Sequence, residues 1–151
     1  MTTSTQTTTD FQLERRVAAP AERLRRAIAE VEGWWSTAVD RSGDEFTVHF
    51  AENWTRVRDE GRRWIIVGQD TPAIPVPDEW VGDVLTFDVE EDGAEASVLR
   101  FTHHDLLAQE CESMCAPAWQ AYIASLVAYA ETGEGNPWRA GMAAGGEEPP
   151  A

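Results

Sequence analysis

Hydrophobic and polar residues alternate over several short stretches of the chain, and this period of two is typical of half-buried β-strands. The clearest stretch is 45–50, where Phe46, Val48 and Phe50 share one face. Turn signals such as Gly61 separate the stretches, and hairpin-length turns favour an antiparallel sheet. By the same criteria, further strands are predicted at 11–17, 54–58, 63–69, 80–90 and 97–103.

Two stretches change to the three-to-four-residue period of an amphipathic helix. The first begins at Pro20, a residue favoured at a helix start, and ends near Gly33. The second covers 111–133, and Gly133 and Pro137 provide the stop after it. The apolar face of this second helix carries Trp119, Tyr122, Leu126 and Tyr129.

The resulting order, β-α-β-β-β-β-β-α, predicts an α+β domain with one antiparallel sheet and two helices on one face. A long aromatic helix that lies across a curved sheet leaves a cavity between the two. The pattern therefore favours a ligand-binding protein, although it does not identify the ligand. We expect a single domain over 11–138, flanked by disordered tails at 1–10 and 139–151.

The 151 residues carry a formal net charge of −15, and all 12 basic residues are arginines. Such a charge repels phosphate backbones and anionic lipids, so we expect neither nucleic acid nor a membrane as a partner. The lack of lysine excludes lysine Schiff-base chemistry. No secretory signal and no apolar run of the ~20 residues that a membrane span needs is visible in the sequence, so a cytoplasmic protein is the default expectation.

Four potential metal ligands lie close together in the sequence: His103, His104, Cys111 and Cys115. Adjacent histidines of a strand point to opposite faces, and the second close ligand pair of a zinc site is doubtful here. We therefore expect no metal, no other cofactor and reduced cysteines. His103 is interpreted as a buried side chain that is hydrogen-bonded at the end of its strand.

Sequence motifs of catalysis are missing from the chain: there is no G-x-S-x-G elbow, H-E-x-x-H pair or phosphate-binding loop. Acidic residues are so numerous that close pairs arise by chance. Asp83 and Asp88, for example, have opposite parity in their predicted strand. We therefore assign no catalytic residue and favour a protein that is not an enzyme.

Four segments of the chain resemble the SRPBCC superfamily, which has the START-like or helix-grip fold. The nearer resemblance is to its bacterial branch related to the activator of the heat-shock-ninety ATPase. The segments are 17–35, 79–106, the Cys-Glu-x-x-Cys helix entry, and 119–137 with its ETG-x-G-x-P ending. The resemblance implies a curved sheet of six to seven strands wrapped around the long C-terminal helix, enclosing a pocket for hydrophobic molecules.

The resemblance also indicates where ligand-binding residues are expected. It places the pocket mouth near Trp34 and Trp35, and the roof of the pocket on the last helix at Trp119, Tyr122 and Leu126. Indole and phenol rings offer flat apolar walls with one polar handle, which suits planar or acyl ligands.

Two residues of strand 54–58 complete the predicted site. Arg56 shares strand parity with Trp54, so it could point inward and hold a ligand carboxylate. We expect non-enzymatic binding of a small hydrophobic or aromatic molecule. A polyketide cyclase/dehydratase-like enzyme and a chaperone accessory domain are the alternatives, and a homodimer or a chaperone partner is left open, because a shared fold does not carry a shared activity.

Overall fold

The computed structural model of the chain describes residues 9–72, 74–109 and 112–139. Within them, the strands are β1 Phe11–Val17, β2 Val39–Ser42, β3 Glu45–Phe50, β4 Asn53–Asp59, β5 Arg63–Asp70, β6 Val84–Glu91 and β7 Ser97–His103. The helices are α1 Ala21–Ala29 and α2 Glu112–Thr132, with short 3₁₀ turns at Val31–Gly33 and Leu106–Ala108.

The seven strands form one sheet in the order β1-β7-β6-β5-β4-β3-β2, and every pairing is antiparallel. In β3 the side chains alternate as the sequence predicts, with Phe46, Val48 and Phe50 buried on the inner face. A curved antiparallel sheet that grips a long C-terminal helix is present, so the predicted α+β, helix-grip fold is confirmed.

One hydrophobic core lies between the inner face of the sheet and the two helices. Helix α1 buries Leu24, Ala27 and Ile28 in this core. Helix α2 ends as predicted, because Gly133 adopts φ +86° and donates its N–H to the carbonyl of Tyr129 at 2.8 Å. Neither described helix combines the length and the apolar character that crossing a membrane requires.

Three differences between the observed elements and the sequence prediction exceed one residue at a boundary. The sequence does not predict β2, because Val39–Ser42 holds a single apolar residue and gives no alternation. Strand β6 begins at Val84 rather than at Trp80, since Gly82 with φ +94° turns the chain just before it. Helix α1 ends at Ala29, and the chain continues as a 3₁₀ turn.

The predicted tails, 1–10 and 139–151, lie mostly outside the described residues. Thr9 and Asp10 are described, and both bind Asp105 in the turn after β7. Thr9 Oγ1 donates to Asp105 Oδ1 at 2.6 Å, and the Asp105 N–H donates to Asp10 Oδ1 at 2.9 Å. The packed chain therefore includes two residues that the sequence assigns to the N-terminal tail.

Candidate ligand site between the sheet and the C-terminal helix

Aromatic side chains occupy the space between the sheet and the helices where the sequence predicts a cavity. Trp34 and Trp35 lie nearly parallel to Trp64 of β5, with ring centroids 5.6 to 6.4 Å apart and interplanar angles of 7 to 16°. Each of the three is at most 1% exposed. These large apolar rings are packed in the interior, and their predicted role in ligand binding at a pocket mouth stays a prediction.

Helix α2 adds Trp119 to this aromatic core. Its ring centroid lies 5.4 Å from that of Trp35 and 4.4 Å from that of Phe101. Trp80, from the loop before β6, stacks on it at 5.6 Å and 12°. Leu126, two turns further along α2, is fully buried as well. Trp119 and Leu126, two of the three predicted roof residues, are thus part of the hydrophobic core between helix and sheet, and their role in ligand binding stays a prediction.

A buried hydrogen-bonded chain connects Trp119 to the loop before β6. Trp119 Nε1 donates to His103 Nδ1 at 2.9 Å, and His103 Nε2 lies 2.8 Å from Asp83 Oδ2. An indole N–H can only donate, so Nδ1 of His103 is the acceptor in the bond to Trp119. Nε2 therefore carries the ring proton and donates a hydrogen bond to the Asp83 carboxylate. Gln109 Nε2 donates to the same carboxylate oxygen at 2.6 Å.

His103 is fully buried and hydrogen-bonded, as the sequence interpretation has it. Both ring nitrogens are engaged, one with Trp119 and one with Asp83. Neither nitrogen is therefore available to move a proton on a substrate in this arrangement, and the geometry suits a clamp that ties α2 to β7.

The ETG-x-G-x-P segment at the end of α2 holds Trp34 and Trp35 in place through the backbone. Ser125 Oγ on α2 donates to the carbonyl of Trp34 at 2.8 Å and accepts from the N–H of Asn136 at 2.6 Å. The N–H of Trp138 donates to the carbonyl of Trp35 at 3.0 Å. Segment 133–138 therefore closes over the loop that carries the paired indoles.

At the Phe50 end of the interface, two buried polar side-chain atoms have no hydrogen-bond partner among the described residues: Trp35 Nε1 and Asn53 Oδ1. The Phe50 ring lies 6.1 Å from the ring of Trp35 and 5.9 Å from that of Tyr122. Asn53 is the direct cross-strand neighbour of Phe50, so their side chains lie side by side on the inner face. We call Trp35, Phe50, Asn53 and Tyr122 the polar end of the interface.

Tyr122 brings a hydroxyl to the polar end from α2. Its side chain is largely buried, and this burial raises the pKa of the phenol above its ordinary value; the thiol of Cys115 also raises the pKa, and the facing indole N–H of Trp35 lowers it. Among the described residues, Trp35 Nε1 nevertheless has no partner at full hydrogen-bond geometry. The polar end therefore offers a donor, an acceptor and a neutral hydroxyl within an aromatic surrounding.

Trp54 and Arg56 lie on the outer face of the sheet, away from the other predicted site residues. Their neighbours Thr55 and Val57 are buried on the inner face, while Arg56 is exposed. The Arg56 guanidinium lies 5.5 Å from the Trp54 ring centroid, and Arg56 Nε donates to Thr47 Oγ1 at 3.1 Å. The inward orientation considered for Arg56 is therefore wrong: it shares parity with Trp54, but that parity faces outward.

Of the two cysteines, Cys115 is buried on α2, and Cys111 lies outside the described residues. Within the described part of the chain, no group of three or more His, Cys, Asp or Glu side chains is arranged to hold a metal ion.

No family model matches the chain. No curated protein matches it by sequence.

Solved structures do match. The Aha1 dimer of Colwellia psychrerythraea aligns over 83% of this chain and 98% of its own, with a TM-score of 0.65 and 18% identity. DynU16 of the dynemicin biosynthetic locus covers 84% of this chain and 49% of its own, at TM-score 0.54 and 18% identity. A norcoclaurine synthase variant from Thalictrum, in complex with a transition-state analogue, aligns over 83% of this chain and 94% of its own. Its TM-score is 0.52 and its sequence identity is 14%. At these identities the likeness shows the fold alone: the chain has a helix-grip fold, and an Aha1 structure is among the solved structures that share it.

Proposed function

We propose that the chain binds a small, largely apolar molecule at the polar end of the interface between the sheet and α2. The observation that supports this most is the pair of buried, unsatisfied atoms, Trp35 Nε1 and Asn53 Oδ1. A buried polar atom without a partner costs about 1–3 kcal/mol, so a ligand that satisfies both atoms gains this free energy on binding. The surrounding rings of Phe50 and Tyr122 supply apolar contact.

The two atoms also indicate the chemical class of the ligand. A group that accepts from Trp35 and donates to Asn53 is a neutral hydroxyl or amide. A carboxylate is disfavoured, because Arg56, its predicted partner, lies on the opposite face of the sheet, and a buried charge without a counter-charge is costly. We therefore favour a neutral aromatic molecule with a hydroxyl or amide group over a fatty acid.

A cyclase-like enzyme has less support, because His103 is held through both of its ring nitrogens. The Aha1 structure from Colwellia is described as a dimer, and we extend that state to this chain as a proposal. Light scattering coupled to size exclusion tests it, since a dimer has twice the 16.8 kDa of one chain.

Three probes of one ring system test the proposed function: naphthalene, 2-naphthol and 2-naphthoate. Binding is followed by quenching of tryptophan emission, because the polar end lies against the tryptophan core. One or two hydrogen bonds should favour 2-naphthol over naphthalene by about 1–3 kcal/mol, or roughly 5–150-fold in Kd. The carboxylate of 2-naphthoate should make it the weakest binder of the three.

Matched variants locate the binding site. Asn53→Leu removes the acceptor and keeps the same branched arrangement of heavy atoms, and we expect it to reduce the preference for 2-naphthol over naphthalene to within about threefold. Trp54→Phe alters the next residue on the opposite face and should leave that preference unchanged. Equal affinity for the three probes, or an unchanged preference in Asn53→Leu, would contradict the proposal.

A further inference from the structure

The sheet opens on one side of β6. Pairing between β5 and β6 covers Arg63–Ile65 and Val84–Thr86, and its last backbone bond runs from the Phe87 N–H to the Arg62 carbonyl at 2.9 Å. Strand β6 continues to Glu91 in register with β7. The part of β6 after Phe87 therefore pairs with β7 on one side only. On its other side β5 does not extend this far, because the chain there forms the β4–β5 turn.

The register identifies the backbone groups that face this gap. The His104 N–H donates to the Val84 carbonyl, so even-numbered residues of β6 direct their backbone groups toward β7. The Phe87 N–H points to the other side, and strand alternation places the N–H and C=O of Val89 and Glu91 there too. The contact found for these groups within the described residues is a long one, 3.4 Å from Arg25 Nη2 to the Val89 carbonyl.

A cleft of about 480 Å³ lies over this open edge, between α1, the β4–β5 turn and β6. Its apolar floor consists of Trp64, Phe87 and Ile28, which are buried core residues. The volume falls in the range of ligand sites, and the site is separate from the polar end of the α2 interface. An apolar floor beside unpaired strand groups is the combination that recognises an extended peptide.

Some charged side chains at the rim of the cleft are engaged in ion pairs or hydrogen bonds with each other or with the turn, and others are not. Arg62 Nη1 lies 2.9 Å from Asp88 Oδ1, so these two neutralise each other. Asp59 Oδ1 accepts from the Gly61 N–H at 2.8 Å and is thereby engaged in the turn. Arg25 has no ion pair with a described carboxylate, and its guanidinium lies next to the open edge.

We propose that this cleft binds an extended peptide segment of another protein, which adds as a short antiparallel strand to the open edge of β6. The peptide residue opposite Val89 exchanges two backbone hydrogen bonds with it and directs an apolar side chain toward Trp64 and Phe87. An acidic residue two positions before it, on the same face of the added strand, pairs with Arg25 of α1. Main-chain bonds supply the affinity of this mode, and the floor and Arg25 supply the sequence preference.

The test uses the capped peptide acetyl-ETFTT-amide and the full ¹⁵N-labelled chain, with amide signals followed by NMR. We expect saturable shifts of the Val89 and Glu91 amides. A series of peptides, each N-methylated at one position, distinguishes strand addition from simple insertion of the phenylalanine ring. Alternate positions should lose at least tenfold in affinity and the positions between them less than threefold, because only every second amide of an added strand faces β6.

Two exposed positions of α1 give matched variants. Ala29 lines the cleft, and Ala29→Trp should abolish the peptide shifts, while Arg26→Trp, outside the cleft on the same helix, should preserve them. Arg25→Gln should remove the preference for acetyl-ETFTT-amide over acetyl-QTFTT-amide. No binding at 1 mM peptide, a methylation series without alternation, or shifts of these amides by 2-naphthol in place of the peptide would overturn the proposal.

Discussion

Ser125 is the residue whose removal tests most sharply how the core is held together. Its Oγ donates to the Trp34 carbonyl at 2.8 Å and accepts from the Asn136 N–H at 2.6 Å, so Ser125→Ala breaks both bonds while changing little volume. Leaving the buried Trp34 carbonyl without this bond should cost about 1–3 kcal/mol of stability. Losing the partly buried bond to the Asn136 N–H should cost about 0.5–1.5 kcal/mol. We therefore expect the free energy of unfolding to fall by about 2–4 kcal/mol.

The assay is urea unfolding at pH 7, followed by tryptophan fluorescence and by far-UV circular dichroism. For a chain of this size the expected loss corresponds to roughly 4–16 °C in Tm. Ser97→Ala is the matched control, because Ser97 Oγ makes a single buried bond, to the Ala19 carbonyl at 2.9 Å, and should cost about 1–2 kcal/mol. If Ser125→Ala lowers the free energy of unfolding no more than Ser97→Ala does, the conclusion that segment 133–138 holds the loop of Trp34 and Trp35 in place is refuted.

Three further predictions concern single side chains. Burial raises the pKa of Tyr122 in the folded state, so the folded phenol keeps its proton at a pH where the unfolded one has lost it. The stability that Tyr122 contributes is therefore present below the ordinary pKa of 10.0 and is lost as the pH rises above that value. Tyr122→Phe should make the decline of stability between pH 10 and 11 less steep by up to about 1.4 kcal/mol per pH unit. Ala51 adopts φ 56° in the β3–β4 turn, a strained conformation for a residue with a Cβ, so Ala51→Gly should stabilise the fold by about 1 kcal/mol in urea unfolding; a loss of stability would contradict this. Trp119→Phe removes the donor to buried His103 and should cost about 2–4 kcal/mol; a cost below 1 kcal/mol by thermal unfolding would show that the bond is not stabilising.

The sequence predicts most of the fold because alternation and helical period report directly on burial. The period-two pattern of Phe46, Val48 and Phe50 and the stop at Gly133 are local signals, and both are confirmed. Strand β2 lacks such a signal, since Val39–Ser42 is held by pairing with β3 rather than by an apolar face of its own.

The candidate site is less predictable, because parity does not say which face of a strand is the inner one. In β4 the large ring of Trp54 suggests an inward face, but Val57 and the neighbouring strands decide the orientation, and Trp54 lies outside. The same reasoning would have found Asn53, which shares parity with Val57. The partner of His103 on α2 depends on tertiary packing, and no sequence spacing indicates it.

Native mass spectrometry of the freshly purified protein, beside its Asn53→Leu variant, tests the ligand-binding proposal most directly. We predict an additional mass of a neutral small molecule on the unaltered chain and its loss or marked reduction in the variant, because Asn53 Oδ1 is a buried acceptor without a partner among the described residues. Bare polypeptide mass in both samples, together with no saturable quenching by 2-naphthol, would contradict the proposal that this interface binds a ligand.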